Sequence, residues 1–435
     1  MQWGIIKHNS RKRSQKPRTL DKPPEQNFEK TEKESLSKTD HRLIGQQLDL
    51  FSINEYVGVG LVLWHPKGNI VRNAIRDYWE TEHRTNGYQL VYTPHIARKE
   101  LWQISGHLNY YSENMYCFDK DGESYVVKPM NCPFHIQIFK AKQRSYRELP
   151  IRYAEWGTVY RYERSGTLHG LLRVRGFTQD DAHIFCTPAQ AQDEIFRALD
   201  FALKLLRRFG FKEYNAVLST RDPKQPEKYM GTEKKWRQAQ NELAQALIRR
   251  EIPFKEAPGE AVFYGPKIDV NIVDAAGREW QCTTIQFDFN LPKNFMATYI
   301  GNDNKIHEVI MLHRALLGSI ERFFAILLEH YAGNLPTWLA PVQVSILPVT
   351  SDQNKYAEKI LKELLELGIR AEVDDSSSTI AYRIRQAELA KIPYMAICGK
   401  QETETNKLSV RKHRLGHLGK VDIDEFVKEI KEDSE

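Results

Sequence analysis

The 435-residue sequence predicts an α+β domain built on an antiparallel sheet, followed by a smaller α/β domain. From residue 41 to 335, strand-like stretches arrive in succession without regular helical crossovers. From residue 340 to 435, strand and helix patterns alternate instead. Residues 1–40 belong to neither part. They are rich in Lys, Arg, Gln, Ser and Glu and hold Pro17, Pro23 and Pro24. With so few apolar side chains to bury, they are expected to form a disordered, basic and polar tail.

The elements follow in order. Ile70, Ala74, Ile75 and Tyr78 recur at helical spacing and predict a helix over 68–82. A strand over 87–92 follows and stops at Pro94, which has no amide proton to donate to a ladder. Further strands are expected at 182–185 and 280–288, with a helix at 189–209. Beyond Pro341 come strand 342–349, helix 354–367, strand 369–373, helix 379–390, strands 394–398 and 408–412, and a last helix from Asp424.

Composition sets the bounds on function. Hydrophobic residues make up 41% and charged residues 28%, the balance of an ordinary globular chain. The net charge of +6 suits a polyanionic partner without demanding one. Five scattered cysteines with no CxxC pair make a poor disulfide framework and fit a reducing compartment, so a cytoplasmic location is expected. No apolar run reaches membrane length and no signal-peptide pattern opens the chain, so no membrane partner is expected.

Three constellations carry chemistry. Arg161–Tyr162–Glu163 and Arg173–Val174–Arg175–Gly176–Phe177 flank a Ser165–Gly166–Thr167 turn that would close a hairpin. Arg161 can grip a phosphate with its planar fork, Glu163 can accept from an adenine amino group, and Phe177 can stack on a purine. In a strand, alternate residues share a face, so Gln179, Asp181 and His183 project together as a polar row that needs water or a ligand. In the run from His313 to Arg322, Leu316, Ile320, Phe323 and Leu327 mark a buried helix face, with Gly318 inside the helix and Ser319 and Arg322 sharing a side. Cys132 and His313 lie far from His183, and spacing alone cannot pair them. One Cys and two His would make a three-ligand zinc site with an open position.

Together these segments resemble class II aminoacyl-tRNA synthetases. The run 161–177 is similar to their second signature motif, 318–322 to the third, and 87–94 to the weaker first motif. The wording of Met130–Asn131–Cys132–Pro133, Leu168–His169–Gly170–Leu171, Arg173 through His183, and Ala261 through Lys267 resembles threonyl-tRNA synthetases in particular, from about Asp40 to Val427. The resemblance implies that Cys132, His183 and His313 hold one Zn²⁺. It implies that Arg161, Glu163, Arg173, Phe177, Gln281, Ser319 and Arg322 contact ATP, with Mg²⁺. Met130, Gln179, Asp181, Tyr264, Lys267 and Gln286 would line the threonine and adenylate pocket. His107 would sit near the tRNA terminal ribose, joining Arg161 and Arg322 as a catalytic residue. Glu402 and Arg411 would contact the anticodon from the C-terminal domain.

The same resemblance implies threonyl-adenylate formation, transfer to the 3′ end of tRNA(Thr), and a homodimer. About 40 polar residues are too few for the extra domain that hydrolyses seryl-tRNA in relatives, so serine misloading is expected, with any correction left to a separate trans-editing protein.

Overall fold

The computed structural model describes residues 37–434; the expected tail lies almost wholly outside the described residues. The larger part is built on eight strands: β1 (Gln89–Leu90), β2 (Ile151–Tyr160), β3 (Gly176–Cys186), β4 (Tyr214–Thr220), β5 (Phe254–Pro258), β6 (Lys267–Val273), β7 (Glu279–Asp288) and β8 (Ile310–Ser319). They lie in the order β5-β4-β6-β7-β8-β3-β2-β1. The inner pairings are antiparallel, and the β4–β5 and β1–β2 pairings at the two ends are parallel. The expected antiparallel core is therefore present.

Helices α1 (Pro66–Thr85), α2 (Cys132–Lys140), α3 (Ala191–Arg208), α4 (Glu233–Arg249) and α5 (Ile320–His330) accompany the sheet. In α3, Ile195, Ala198, Leu199, Ala202, Leu205 and Leu206 are buried at the spacing of one helix face. Asp193 and Glu194 in its first turn and Arg207 and Arg208 in its last complement the helix dipole. In helix α1, Ile75 is buried and Ala74 and Tyr78 pack against the core as the periodicity suggested, while Ile70 is exposed and Gly68, Val71, Trp79 and His83 complete the buried face. A Cβ on Gly68 would lie 1.9 Å from the Leu50 carbonyl oxygen, so glycine lets α1 lie directly on that backbone.

Two further expectations are corrected. The hairpin is real, but β2 and β3 end at the Tyr160–Gly176 pair, and a loop longer than the expected turn joins them. Arg161 and Arg173 therefore stand at the mouth of the hairpin; the Arg161 N–H donates to the Arg175 carbonyl at 2.8 Å. The run from His313 to Ser319 is strand, and the helix starts only at Ile320. Gly318 is glycine because its φ is +78°, which a side chain disfavours, and not because it lies inside a helix.

Between Ala315 and Ser319 the β8–β3 register shifts. A bulge leaves amides without ladder partners. Here the carboxylate of Asp180 on β3 takes them, accepting from Leu316 N–H at 3.1 Å and Leu317 N–H at 2.6 Å. The Arg314 guanidinium, also buried, donates to the same carboxylate at 3.1 Å. Burial pushes the Asp180 carboxyl up to about 6, and Arg314 and the two amides hold it from rising further, so it is ionised at neutral pH.

The second sheet contains β9 (Val344–Pro348), β10 (Ala371–Val373), β11 (Tyr394–Cys398), β12 (Lys407–Lys412) and β13 (Gly416–Asp422), in the order β10-β9-β11-β12-β13. The first three are parallel, with α6 (Asn354–Glu366) and α7 (Ile380–Leu389) as crossovers. Strands β12 and β13 form an antiparallel hairpin, and α8 (Ile423–Glu432) ends the domain. Strand β13 escaped the sequence reading because Gly416, Gly419, Lys420 and the exposed Leu418 give no apolar alternation.

Replacing Asp180 with alanine should cost about 3–5 kcal/mol, because Arg314 is left buried without its counter-charge. Urea unfolding of Asp180→Ala checks this; a midpoint unchanged from the parent chain would remove Asp180 as the keystone of the bulge.

Candidate active site and metal centre

Register decides what meets on the open face of the sheet. His183 on β3 pairs with His313 on β8, which pairs in turn with Gln286 on β7. Asp181 lies opposite Ala315, and Gln179 opposite Ser319. The polar row read from alternation is therefore one edge of a polar surface crossing three strands. Met130 and Cys132 reach it from the start of α2, Tyr264 from the turn before β6, and Arg322 from the first turn of α5.

These groups enclose a cavity of about 660 Å³. It is lined by Arg161, Glu163, Arg173, Phe177, Gln179, Gln281, Ser319 and Arg322 towards one end of the strands, and by Met130, Cys132, Asp181, His183, Tyr264, Gln286 and His313 towards the other. Four expected residues lie outside its lining. The Lys267 ammonium turns away to pair with Asp269 at 2.6 Å. His107 is fully buried behind Met130, its Nε2 3.0 Å from the Met130 Sδ and its Nδ1 2.7 Å from the Ser105 Oγ. Burial, followed by the charges of His313 and Arg161, lowers the His107 imidazole to about 4, so the ring is neutral at physiological pH. Glu402 and Arg411 belong to the second sheet's domain. Glu402 is buried, accepts from the Gly399 N–H at 3.2 Å and pairs with Lys420 at 2.9 Å. Among the described residues the buried Arg411 Nε has no hydrogen-bond partner.

At the arginine end, Arg173 grips Glu163 through Nη2 at 2.8 Å and Nε at 3.1 Å. The Arg161 guanidinium lies 5.0 Å from the centre of the Phe177 ring and donates to the Pro129 carbonyl. Among the described residues neither Arg161 nor Arg322 has a carboxylate partner, so both present uncompensated charge to the cavity. Ser319 caps α5, its Oγ accepting from the Arg322 N–H at 3.4 Å, which orients the turn that carries Arg322.

At the other end the ligand atoms of Cys132, His183 and His313 all lie within 4.8 Å of one another, and all three residues are buried. A thiol and two imidazoles are a zinc-type donor set. The His313 Nε2 is held by the Asp288 Oδ2 at 2.8 Å, which leaves its Nδ1 facing the His183 Nε2 at 3.0 Å. Burial pushes His183 well below the usual imidazole range, so it brings a neutral ring. Burial pushes the Cys132 thiol well up, and a bound cation would reverse that by its own charge. The donor set therefore fits a zinc ion. A second cluster, Asp40, His41 and Glu329, is already internally satisfied: His41 bonds Glu329 at 2.6 Å and accepts from the Leu171 N–H at 3.0 Å.

Sequence reasoning missed the residues behind the Cys–His–His cluster. His135 contacts His183, Glu155 contacts His135, and Asp288 contacts His313. Signals existed: His135 is one helical turn from Cys132 on α2, and Glu155 is a lone acid inside a largely buried strand. Asn131 was also passed over. Its Nδ2 donates to Asp181 at 2.9 Å, while its amide is pressed against the backbone of Gly157.

This architecture is that of a class II aminoacyl-tRNA synthetase. Residues 115–331 match the family described as "tRNA synthetase class II core domain (G, H, P, S and T)", and residues 343–433 match "Anticodon binding domain". The chain is 54% identical over 400 residues to the threonine–tRNA ligase of Sulfurihydrogenibium sp. (strain YO3AOP1), and 53% identical over 400 residues to that of Aquifex aeolicus (strain VF5). Each match covers 92% of this chain and 62% of the relative, so the chain spans less than two thirds of their length. The structure of the RNA-binding domain of threonyl-tRNA synthetase from Cryptosporidium parvum Iowa II superposes with a TM-score of 0.87 at 40% identity, covering 90% of this chain and 98% of that one. The chain belongs to the threonyl-tRNA synthetase family.

A Cβ on Gly157 would stand 2.3 Å from the Asn131 Nδ2. Gly157→Ala should therefore destabilise by about 1–3 kcal/mol through overpacking. Most of that penalty should vanish in the Asn131→Ala background, and a double-mutant cycle in urea checks it; additive effects would place the clash elsewhere.

Proposed function

We propose that the protein activates threonine with ATP and loads it onto tRNA(Thr), with residues 41–335 as the catalytic part and 340–435 as the anticodon-binding part. The observation that carries this reading is one cavity lined both by two arginines with no carboxylate partner among the described residues and by a Cys–His–His cluster. Family membership supports it.

In the first step a threonine carboxylate oxygen attacks the α-phosphorus of ATP. A new P–O bond forms, the bond to the β-phosphate breaks, and pyrophosphate leaves. No protein nucleophile is needed. Arg161 and Arg322 offset the charge that builds on the phosphates, in a site where water is largely displaced. Mg²⁺ would accompany the triphosphate. Glu163, held in place by Arg173, accepts from the adenine amino group, and Phe177 offers the ring face not covered by Arg161. In the second step a terminal ribose hydroxyl of tRNA attacks the threonyl carbonyl carbon, AMP departs, and the hydroxyl proton passes to its phosphate. Neutral His107 acts through Met130 as a positioning residue. Lys267, anchored by Asp269, steadies the β6–β7 edge of the pocket.

Zinc held by Cys132, His183 and His313 would supply a Lewis-acidic site for the amino and hydroxyl groups of threonine. Asp181, oriented by Asn131, offers a carboxylate to an N–H of the substrate amino group, which must be neutral to bind the metal. The Tyr264 hydroxyl donates to the Gln286 Oε1 at 2.8 Å and closes this end of the cavity. Selectivity follows from chemistry. Valine lacks the hydroxyl and would leave polar groups unpaired, whereas serine lacks only a methyl group, worth about 1–3 kcal/mol.

Among the described residues no helix is long and apolar enough to cross a membrane. The cytoplasmic location and the homodimer belong to this reading. So does a separate trans-editing partner for mischarged serine. In the anticodon part, Arg411 is the contact offered to RNA, and Glu402 shapes the turn after β11 through Gly399 and Lys420.

Threonine-dependent ATP–pyrophosphate exchange tests the proposal. The purified chain should catalyse it, Arg161→Ala should lower kcat by about 10²–10³-fold, and zinc removal should abolish threonine dependence. Activation of valine should be far weaker than activation of serine. Absence of exchange by fully metallated protein would overturn the reading in favour of a silent tRNA-binding relative.

A further inference from the structure

Behind His183 lies a buried chain of polar groups that the proposed mechanism does not use. The His183 Nδ1 is 2.8 Å from the His135 Nδ1, and the His135 Nε2 is 3.0 Å from the Glu155 Oε2. Glu155 also accepts from the Thr93 N–H at 2.8 Å, the Thr93 hydroxyl at 2.9 Å and the Lys128 ammonium at 3.3 Å. His135, Glu155, Lys128 and Thr93 are each at most 2% exposed. A buried carboxylate, imidazole and ammonium in one line are costly, so their retention calls for a physical reason.

Proton counting supplies one. The Thr93 N–H, the Thr93 hydroxyl and the Lys128 ammonium all donate to Glu155, so Glu155 is placed as an acceptor. Burial raises its carboxyl, and the bond from His135, the Lys128 charge and the Thr93 amide more than offset this, leaving it below the usual carboxylate range. The His135 proton must then sit on Nε2, facing Glu155. This leaves a lone pair on the His135 Nδ1, which accepts from the His183 Nδ1–H. His183 in turn can carry no proton on Nε2, the atom that faces His313 and the cluster. Each bond dictates the next.

We propose that Glu155 and His135, fixed by Lys128 and Thr93, form a tautomer relay that keeps the His183 Nε2 lone pair directed at the metal centre. They are positioning residues, acting on the metal through His183. The inference rests on the zinc reading given above and deepens it: His183 is prepared as a ligand before any ion arrives. Asp288 does the same for His313 directly, in one bond instead of two. Ligating histidines generally need such partners, and losing one costs about 10–100-fold in metal affinity.

Glu155→Gln is the sharpest probe because it alters one atom of the side chain. Its amide nitrogen either faces Thr93, donor against donor, or faces His135 and donates to Nε2. In the second case the His135 proton moves to Nδ1, the His183 proton moves to Nε2, and the ligand atom is blocked. His135→Leu removes the acceptor outright. Zinc affinity of the full chain is measured by competition with a chromophoric chelator, alongside thermal unfolding and ATP binding as readouts of fold. Both variants should bind ATP like the parent and zinc about 10–100-fold more weakly. The threonine KM should rise while the ATP KM holds.

If the parent chain takes up no zinc, the zinc reading fails, and the relay falls with it. If the parent binds one zinc and the folded variants match it within about twofold, the relay alone is overturned. Should neither variant fold, ¹⁵N-histidine NMR of the metal-free parent decides. The relay requires the proton on the His183 Nδ1 and the His135 Nε2, and the opposite pair of tautomers rules it out.

Discussion

The alignment of β3 with β8 is the constraint on which the cavity depends, and one buried carboxylate holds it. Asp180 points away from the cavity while its neighbours Gln179 and Asp181 point in. Its two oxygens take the amides that the bulge would otherwise orphan and neutralise Arg314 as well. Strand alternation makes this an all-or-nothing arrangement. A one-residue slip would turn His313 into the core and bring Arg314 to the face that now holds His183 and Gln286. The cost of burying Asp180 and Arg314 together is repaid in register.

How much was legible beforehand follows from the range of each interaction. The Gln179–Asp181–His183 row was readable because it is local: one strand, period two. The α/β pattern beyond residue 340 was readable for the same reason, since each helix and strand there carries its own apolar face. The union of Cys132, His183 and His313 was not readable from spacing. It depends on β-pairing across some 130 positions, and only resemblance supplied it. The bulge was missed because a strand that runs straight into a helix shows continuous apolar residues, and Leu316 and Ile320 fit a helical face as well as a strand. His135 and Glu155 were missed because their meaning lies in hydrogen bonds made from three separate elements.

The two ends of the cavity are built on opposite electrostatic principles. At the arginine end, charge is left uncompensated: Arg161 and Arg322 have no carboxylate partner among the described residues, while Glu163 is kept in check by Arg173. Such a surface is prepared for an anionic guest. At the cysteine end the two imidazoles are matched from behind, His313 by Asp288 and His183 by His135, so each can turn a ring-nitrogen lone pair to the cavity. Such a surface is prepared for a cation.

The passage from β8 into α5 has a wider consequence. His313 and Arg322 are carried by one uninterrupted piece of backbone, with the bulge and the capping Ser319 between them. Most of that span is buried, so it transmits displacement instead of absorbing it. A shift at His313 therefore reaches Arg322 through about nine residues of stiff chain. The bulge works as a fixed spacer between two chemistries, and it sets the reading frame of the site. Deleting Leu316 would leave every side chain of the cavity in the protein, yet no register of the ladder could present His313 and Arg322 to the same molecule.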